Sequence, residues 1–243
     1  MSVRFVTHAE QPELREIEEL WRSWPEFMLH DSVSEGRWGA LYEDFGELQF
    51  WGVDDTTGAI VVKANAVPVA LDAADLPDGG WREALRRAID DDEEPTLVSA
   101  LQILVAEDRR GEGLSSLALE EMRRLVAGLG FADLVAPVRP SAKAAYPITP
   151  IDRYVGWRRA DGLPFDPWLR VHARAGAELV GVCQRSMEIT GTVAEWEEWT
   201  GIVFPETGDY VVPGALTPVS IDREAGSGLY VEPNVWMHHC LNF

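Results

Sequence analysis

The spacing of hydrophobic and polar positions changes period several times along this chain, and the changes mark out its elements. "VRFVT" (Val3 to Thr7) alternates as a short strand. From Gln11 the apolar positions recur at helical spacing, with Leu14, Ile17, Trp21 and Trp24 on one face. Pro12 suits a first turn there and Pro25 ends the run. A second helical stretch is expected from Ser34 to Phe45, carrying Trp38, Leu41 and Tyr42. "LQFWGVDDTTGAIVVKANAVPVAL" reads as two antiparallel strands around a turn at Asp54–Gly58. "DGGWREALRRAI" is helical and "TLVSALQILVA" is a strand. A helix then runs to about Leu129, and "FADLVAPVRP" is the next strand. Strand, helix and strand in this order predict a parallel pair with a crossover.

Beyond Pro140 the periodicity weakens. "SAKAAYPITPIDRYVGWRRADGLPFDP" sets four prolines among aromatics and charges, the composition of a long ordered loop. "WLRVHARAG" is a short helix stopping at Gly176, "AELVGVCQRSMEI" a strand, and "TVAEWEEWTGI" a short capped helix. "DYVVPGALTPVSID" and "GLYVEPNVWMHHCL" alternate, and are expected to form a hairpin turning at "REAGSG". The chain has no repeat at a fixed period.

Composition narrows the function classes. The 243 residues, 46% hydrophobic and 26% charged, suit a folded protein with a sizeable core. With 41 acidic against 21 basic residues the formal net charge is -20, which argues against nucleic acid or an anionic membrane as partner; a cationic partner fits better, and plain solubility accounts for the charge as well. No apolar run approaches the ~20 residues of a membrane span, and the N-terminus lacks an apolar signal-peptide core. Cys183 and Cys240 are too few for a disulfide framework, so a cytoplasmic protein with reduced thiols is expected. His238 and His239, adjacent on a strand, face opposite sides and are not expected to share a metal ion.

The chemistry concentrates in "ILVAEDRRGEGLSSLALEEMRRL" (Ile103 to Leu125). An apolar strand passes through two glycines into a helix whose one face carries Leu114, Leu117, Ala118, Met122 and Leu125. The first turn of a helix has unpaired N–H groups and a partial positive charge, and so binds anions. Glycine lets the backbone come close to a phosphate, and Arg109 or Arg110 adds a full charge. The Walker pattern and the three-glycine dinucleotide fingerprint are both absent. From the residues alone, a phosphate-cradling turn and a plain helix start both stay open.

This stretch resembles the acyl-CoA-binding motif of the GNAT (GCN5-related N-acetyltransferase) superfamily. In that motif a strand leads into Arg/Gln-x-x-Gly-x-Gly/Ala and then an amphipathic helix. Arg110, Gly113 and Ser115 occupy the marked positions, serine being a small departure. The order of elements over about residues 2–190 is also similar. The resemblance implies an α/β GNAT acyltransferase fold: a mixed, mostly antiparallel central sheet flanked by helices, with an extended C-terminal β-hairpin. Residues 1–243 would form a single domain, with a core over about 2–190 and the hairpin over about 191–243.

The resemblance also implies that acetyl-CoA or another acyl-CoA serves as co-substrate. Its pantetheine would pair with the backbone of Leu104, Val105 and Ala106 in a cleft beside the strand Phe131 to Val138. Its pyrophosphate would rest on Arg110, Gly111, Glu112, Gly113, Leu114, Ser115 and Ser116. The N–H of Val105 would polarise the thioester carbonyl. An amine of a small molecule or peptide would attack directly, in a monomer or homodimer without nucleic acid or membrane.

Relatives protonate the leaving thiolate from a tyrosine; here His172 takes that place, Ala177 stands where an aromatic is usual, and Tyr146 is the runner-up donor. The motif strand lacks the family's glutamate and offers only Ser99 and Gln102 as polar side chains. Asp31, Glu35, Asp152 and Asp161 are candidates to meet an ammonium group, and Trp38, Trp157 and Trp168 to supply cation–π faces. The alternatives are a non-catalytic acyl-CoA sensor on the same fold and a transferase drawing on a carrier-protein thioester.

Overall fold

The computed structural model describes residues 2–20 and 24–241, without the side chains of residues 17–20. Nine strands form one sheet: β1 (Val3–Thr7), β2 (Gln49–Asp54), β3 (Ile60–Val69), β4 (Leu97–Val105), β5 (Asp133–Val138), β6 (Glu178–Thr192), β7 (Gly208–Tyr210), β8 (Val219–Asp222) and β9 (Ser227–Cys240). Strands β1 to β4 run antiparallel in chain order, and β5 is parallel to β4. The helices are α1 (Ala40–Asp44), α2 (Gly80–Asp90), α3 (Leu114–Gly128), α4 (Ile151–Tyr154), α5 (Pro167–Arg174) and α6 (Val193–Thr200). This is the mixed, mostly antiparallel sheet with flanking helices that the family resemblance implied. Among the described residues no helix is long and apolar enough to cross a membrane.

Local chemistry explains the boundaries. Asp166 caps α5 by accepting from the amides of Trp168 and Leu169, with Pro167 in the first turn. Thr192 and Glu195 close a reciprocal capping box at α6, and Gly201 ends it at φ +67°.

Among the described residues, two expected helices depart from the α-helices their periodicity suggested. Pro12–Leu20 is 3-10 rather than α, and Ile17 and Trp21 fall outside the side chains described. In the second stretch only Ala40–Asp44 is α-helical, the residues from Ser32 to Gly39 forming turns. The first arm of the expected hairpin is also broken: Val211 to Pro218 leave the ladder, where Pro213 and Pro218 have no N–H to donate.

Apolar side chains cover both faces of the sheet. On one, α3 and α5 pack over Val62, Ala64, Val98, Ala100, Leu134 and Ala136. On the other, α2, α6 and the 3-10 turn Glu26–His30 pack over Trp51, Val67, Leu101 and Ile189. The last strand lies inside the sheet and not beyond it. β9 has β6 along one edge, and β5 and β8 in succession along the other.

Candidate active site

Two irregularities of β4 shape the site. The first is a separation from its parallel neighbour: β4 and β5 pair only at Val98–Leu134 and Ser99–Val135. Past Ser99 the strands part, and Gln102 to Val105 become half-buried. The Ala106 amide donates to the Val61 carbonyl at 3.0 Å. Alternation along the β3–β4 ladder therefore turns the Val105 amide to the opposite edge, facing the gap.

The second irregularity is a bulge. The β3–β4 register shifts at Asn65/Ala66, leaving Leu101 without a partner of its own. Leu101 and Gln102 consequently share a face: Leu101 packs beside Trp81 and Val67, and Gln102 lines a cavity there. The Trp81 indole donates to the Leu101 carbonyl at 2.9 Å, occupying the acceptor that the bulge exposes.

Beyond β4, the turn Glu107–Arg109 leads into α3. Gly111 and Gly113 have φ of +87° and +80°, a conformation that residues with a Cβ rarely adopt, and a Cβ at either would meet open space. Among the described residues, the backbone amides from Gly111 to Ser115 have no internal acceptor. The two arginines differ sharply. Arg109 is 15% exposed and bonds Asp54 on β2 at 3.0 Å and Glu112 at 2.9 Å, tying the turn to the sheet. Arg110 is 57% exposed and, among the described residues, pairs only with the exposed Glu107, at 3.7 Å. Backbone donors, open glycines and one outward guanidinium are the donor set that a pyrophosphate requires.

On the face away from α3 lies a cavity of about 720 Å³ reaching Gln102 and Leu104 of β4. Trp24, Trp38, Trp81 and Trp199 line it with the carboxylates Asp31, Glu35 and Glu195 and the ammonium of Lys63. Trp38 stacks on Trp81, His30 stacks on Trp199 at 4.2 Å, and the Trp24 indole donates to Gln102 Oε1 at 3.2 Å. Gln102 in turn donates to Asn65, and Asn65 to Gln49 and Tyr42.

Two of the three carboxylates are committed. Asp31 Oδ1 accepts from the Val33 and Ser34 amides, while Oδ2 lies 3.1 Å from Arg82 Nε at an angle poor for a hydrogen bond. Burial raises the Asp31 pKa, opposed by Arg82. Glu195 accepts from the Thr192 amide and hydroxyl, which hold its pKa below the usual value. Glu35 is exposed at the rim and makes no ion pair among the described residues. Burial, then the charge of Arg15, pull Lys63 down to about 8.

The sequence-predicted residues divide on this geometry. Leu104, Val105, Ala106 and the Arg110–Ser116 turn come together along one edge. Asp31, Glu35 and Trp38 meet in the cavity, whereas Asp152, Asp161, Trp157 and Trp168 do not line it.

His172 is not brought to the cleft. It is 1% exposed on α5, edge-on to Trp168, with Nδ1 2.9 Å from His239 Nε2. His239 sits opposite Leu134, which pairs beside Val98. Val98 and Val105 are separated by roughly 23 Å of strand at ~3.3 Å per residue. Burial, then His239, push His172 down to about 3, so it carries no proton to give as an imidazolium at neutral pH. Tyr146 anchors the proline-rich loop in an aromatic cluster with Tyr154, Trp157 and Phe165, its ring still 37% exposed. Sequence reading missed Trp24, Trp81, Trp199, Lys63 and Glu195 as cavity residues. Only the density of tryptophan could have signalled them.

A strand splayed beside a pyrophosphate-ready helix start, with a separate cavity across the strand, is the layout of an acyl-CoA-dependent transferase. No family model matches the chain. It is 34% identical over 245 residues to the arginine N-acetyltransferase avaD of Aspergillus versicolor, covering 89% of this chain and 84% of that protein. Its fold is similar to that of the loading GNATL domain of CurA from Lyngbya majuscula, with a TM-score of 0.60, 16% identity, and 99% and 97% of the two chains covered. It is also similar to that of the GphF GNAT-like decarboxylase in complex with isobutyryl-CoA, with a TM-score of 0.54, 17% identity, and both chains fully covered. The chain belongs to the GCN5-related N-acetyltransferase superfamily. It is an acyl-CoA-dependent N-acyltransferase, with acyl-CoA as co-substrate.

Proposed function

We propose that this protein acetylates a nitrogen of a small, cationic, arginine-type acceptor held in the tryptophan-lined cavity. The observation that carries this reading is the cavity itself. It reaches β4 at Gln102 and Leu104 and combines four indole walls with an uncommitted carboxylate, Glu35. Indole faces and a carboxylate together attract a planar guanidinium or an ammonium. The 34% identity to an arginine N-acetyltransferase supports the same acceptor class.

In this reading acetyl-CoA lies along the open edge of β4, its pantetheine against Leu104 to Ala106 and its pyrophosphate over Arg110 to Ser116. The Val105 amide, turned toward the gap, donates to the thioester carbonyl and stabilises the oxyanion as the nitrogen attacks. The acceptor nitrogen forms its bond to the acetyl carbon, the C–S bond breaks, and the proton lost by nitrogen ends on solvent or on the CoA thiolate. Proximity contributes most of the rate, and Tyr146 is the one remaining side-chain donor among the two first considered. We also read residues 1–243 as a single domain, supported by one sheet carrying strands from both ends of the chain. A cytoplasmic setting belongs to the proposal on the scarcity of cysteine.

The test is a thiol-release assay with acetyl-CoA against arginine, agmatine, lysine, a polyamine and a peptide N-terminus, with mass spectrometry of the products. Arginine-type acceptors are expected to release CoA fastest and to gain one acetyl group. Thermal stabilisation by acetyl-CoA with no CoA release on any acceptor would instead support a sensor.

A further inference from the structure

A buried polar relay connects two tryptophans that line the cavity. Arg139, just past the end of β5, donates through Nε to both oxygens of Glu232 on β9, at 3.0 and 2.9 Å. Its guanidinium carbon lies 5.8 Å from the ring centroid of Trp24, which lines the cavity. Glu232 Oε2 also accepts from the Tyr230 hydroxyl at 2.7 Å, and Oε1 from Asn234 Nδ2 at 3.3 Å. Asn234 Oδ1 accepts from the Ser186 hydroxyl at 2.6 Å, and Ser186 Oγ accepts from the Trp81 amide at 2.9 Å. Trp81 also lines the cavity, with Trp38 stacked on it.

The circuit closes through β4. The Trp24 indole bonds the Gln102 side chain, and the Trp81 indole bonds the carbonyl of Leu101, the adjacent residue at the bulge. Glu232 and Ser186 are fully buried, and Asn234 is nearly so. Burial, then the neighbouring carboxylate, raise the Tyr230 phenol well above its ordinary value, which keeps it a donor. A buried carboxylate beside an arginine stabilises little when compared with an apolar pair of the same shape. What a fully satisfied network does impose is one arrangement of the groups around it.

We propose that Arg139, Glu232, Asn234 and Ser186 act as one positioning unit, which sets the spacing of Trp24 and Trp81, the two indoles bonded to β4 at its bulge, and thereby the fit of the acceptor. Its kinetic consequence rests on the reading that the acceptor occupies this cavity, while its structural consequence does not. None of these four residues belongs to the acyl-CoA edge, so the unit governs acceptor binding and leaves the acyl donor alone.

Perturbing one end and observing the other tests the unit. The indole N–H resonances of Trp24 and Trp81, assigned from Trp24→Phe and Trp81→Phe, are followed in Ser186→Ala and in Arg139→Lys. Ser186→Ala is expected to move the Trp24 resonance, and Arg139→Lys that of Trp81. If each variant moves only the indole next to it, the relay is not a unit and the proposal fails, whichever acceptor the enzyme uses. Kinetically, both variants are expected to raise the acceptor KM roughly threefold to tenfold, the equivalent of about one hydrogen bond, with the acetyl-CoA KM unchanged. Equal rises in both KM values would mark general loosening and also overturn it. Failure of the acceptor assignment shows separately, as no turnover of any arginine-type acceptor by the unaltered protein. Should Arg139→Lys not fold, Tyr230→Phe, which removes one donor to Glu232, is read at both indoles with the same expectation.

Discussion

The edge of β4 proposed to hold acyl-CoA and the cavity proposed to hold the acceptor meet at β4 and are built on opposite plans. The edge is contiguous in sequence, from Leu104 to Ser116, and presents mostly backbone: a turned amide at Val105, open amides after Gly111, and two glycines at positive φ. The cavity draws side chains from both ends of the chain, from Trp24 to Trp199, and depends on contacts such as the Trp81–Leu101 bond. A site made of backbone tolerates most side-chain changes and fails when its conformation is blocked. A site made of side chains can change its acceptor by single substitutions while the edge across the strand stays the same.

The sharpest way to break this contrast is at Gly113. A valine there must adopt φ near +80°, at a cost of about 1–2 kcal/mol or more for a residue with a Cβ. Gly113→Val is expected to raise the acetyl-CoA KM by more than about tenfold and leave the acceptor KM near its original value. Comparable rises in both would show the two sites to be one.

Glu35→Gln probes the other side of the strand. Loss of a single rim charge worth about 1 kcal/mol should raise the KM of a cationic acceptor roughly fivefold, with no change for acetyl-CoA. A neutral amine acceptor should be insensitive, which separates charge from shape.

Protonation of Lys63 gives a subtler handle. Its pKa in the folded protein, about 8, lies below the ordinary 10.5, so the unfolded chain holds the proton more tightly. Stability contributed by this group therefore rises with pH between about 8 and 10.5. Across the same titration the cavity loses a positive charge, and the KM of an acceptor with a permanent guanidinium should fall a few-fold as pH passes about 8. Lys63→Met should flatten that profile, and a profile unchanged by the substitution would place the titrating group elsewhere.

The smallest effect is expected at His172. Replacement by phenylalanine should leave kcat/KM within about twofold, while a thermal melt records the loss of the bond to His239. A loss of kcat far beyond that would restore His172 to the reaction.

Much of this architecture was legible before any coordinates. The parallel β4–α3–β5 unit followed from an apolar run, two glycines and an amphipathic helix, all within a short span where local periodicity dominates. The motif singled out Arg110, but that Arg110 is exposed and Arg109 committed to Asp54 required β2 to lie alongside. The second helix was overestimated because Trp38, Leu41 and Tyr42 are apolar for tertiary reasons: they pack under α2 and against Trp51, and only Leu41 and Tyr42 do so from a short helix. His172 was misplaced for a related reason. Its distance along the chain from a glycine matched the family's pattern, yet the burial of α5 decided its environment.

What the sequence determined by itself is the strand end, glycine turn and helix start proposed to hold acyl-CoA, since these are encoded by neighbours and present main-chain groups whose positions follow from backbone conformation. What only the tertiary structure decided is the acceptor cavity. There one bulge on β4 puts Leu101 and Gln102 on the same face, where they bond Trp81 and Trp24, and a buried polar chain runs from Arg139 to Ser186 behind them. Those contacts join residues up to a hundred or so positions apart, and they exist only after the sheet has brought β5, β6 and β9 together. Hydrophobic periodicity reports which face of an element is buried. It carries no information about which distant side chain will meet that face.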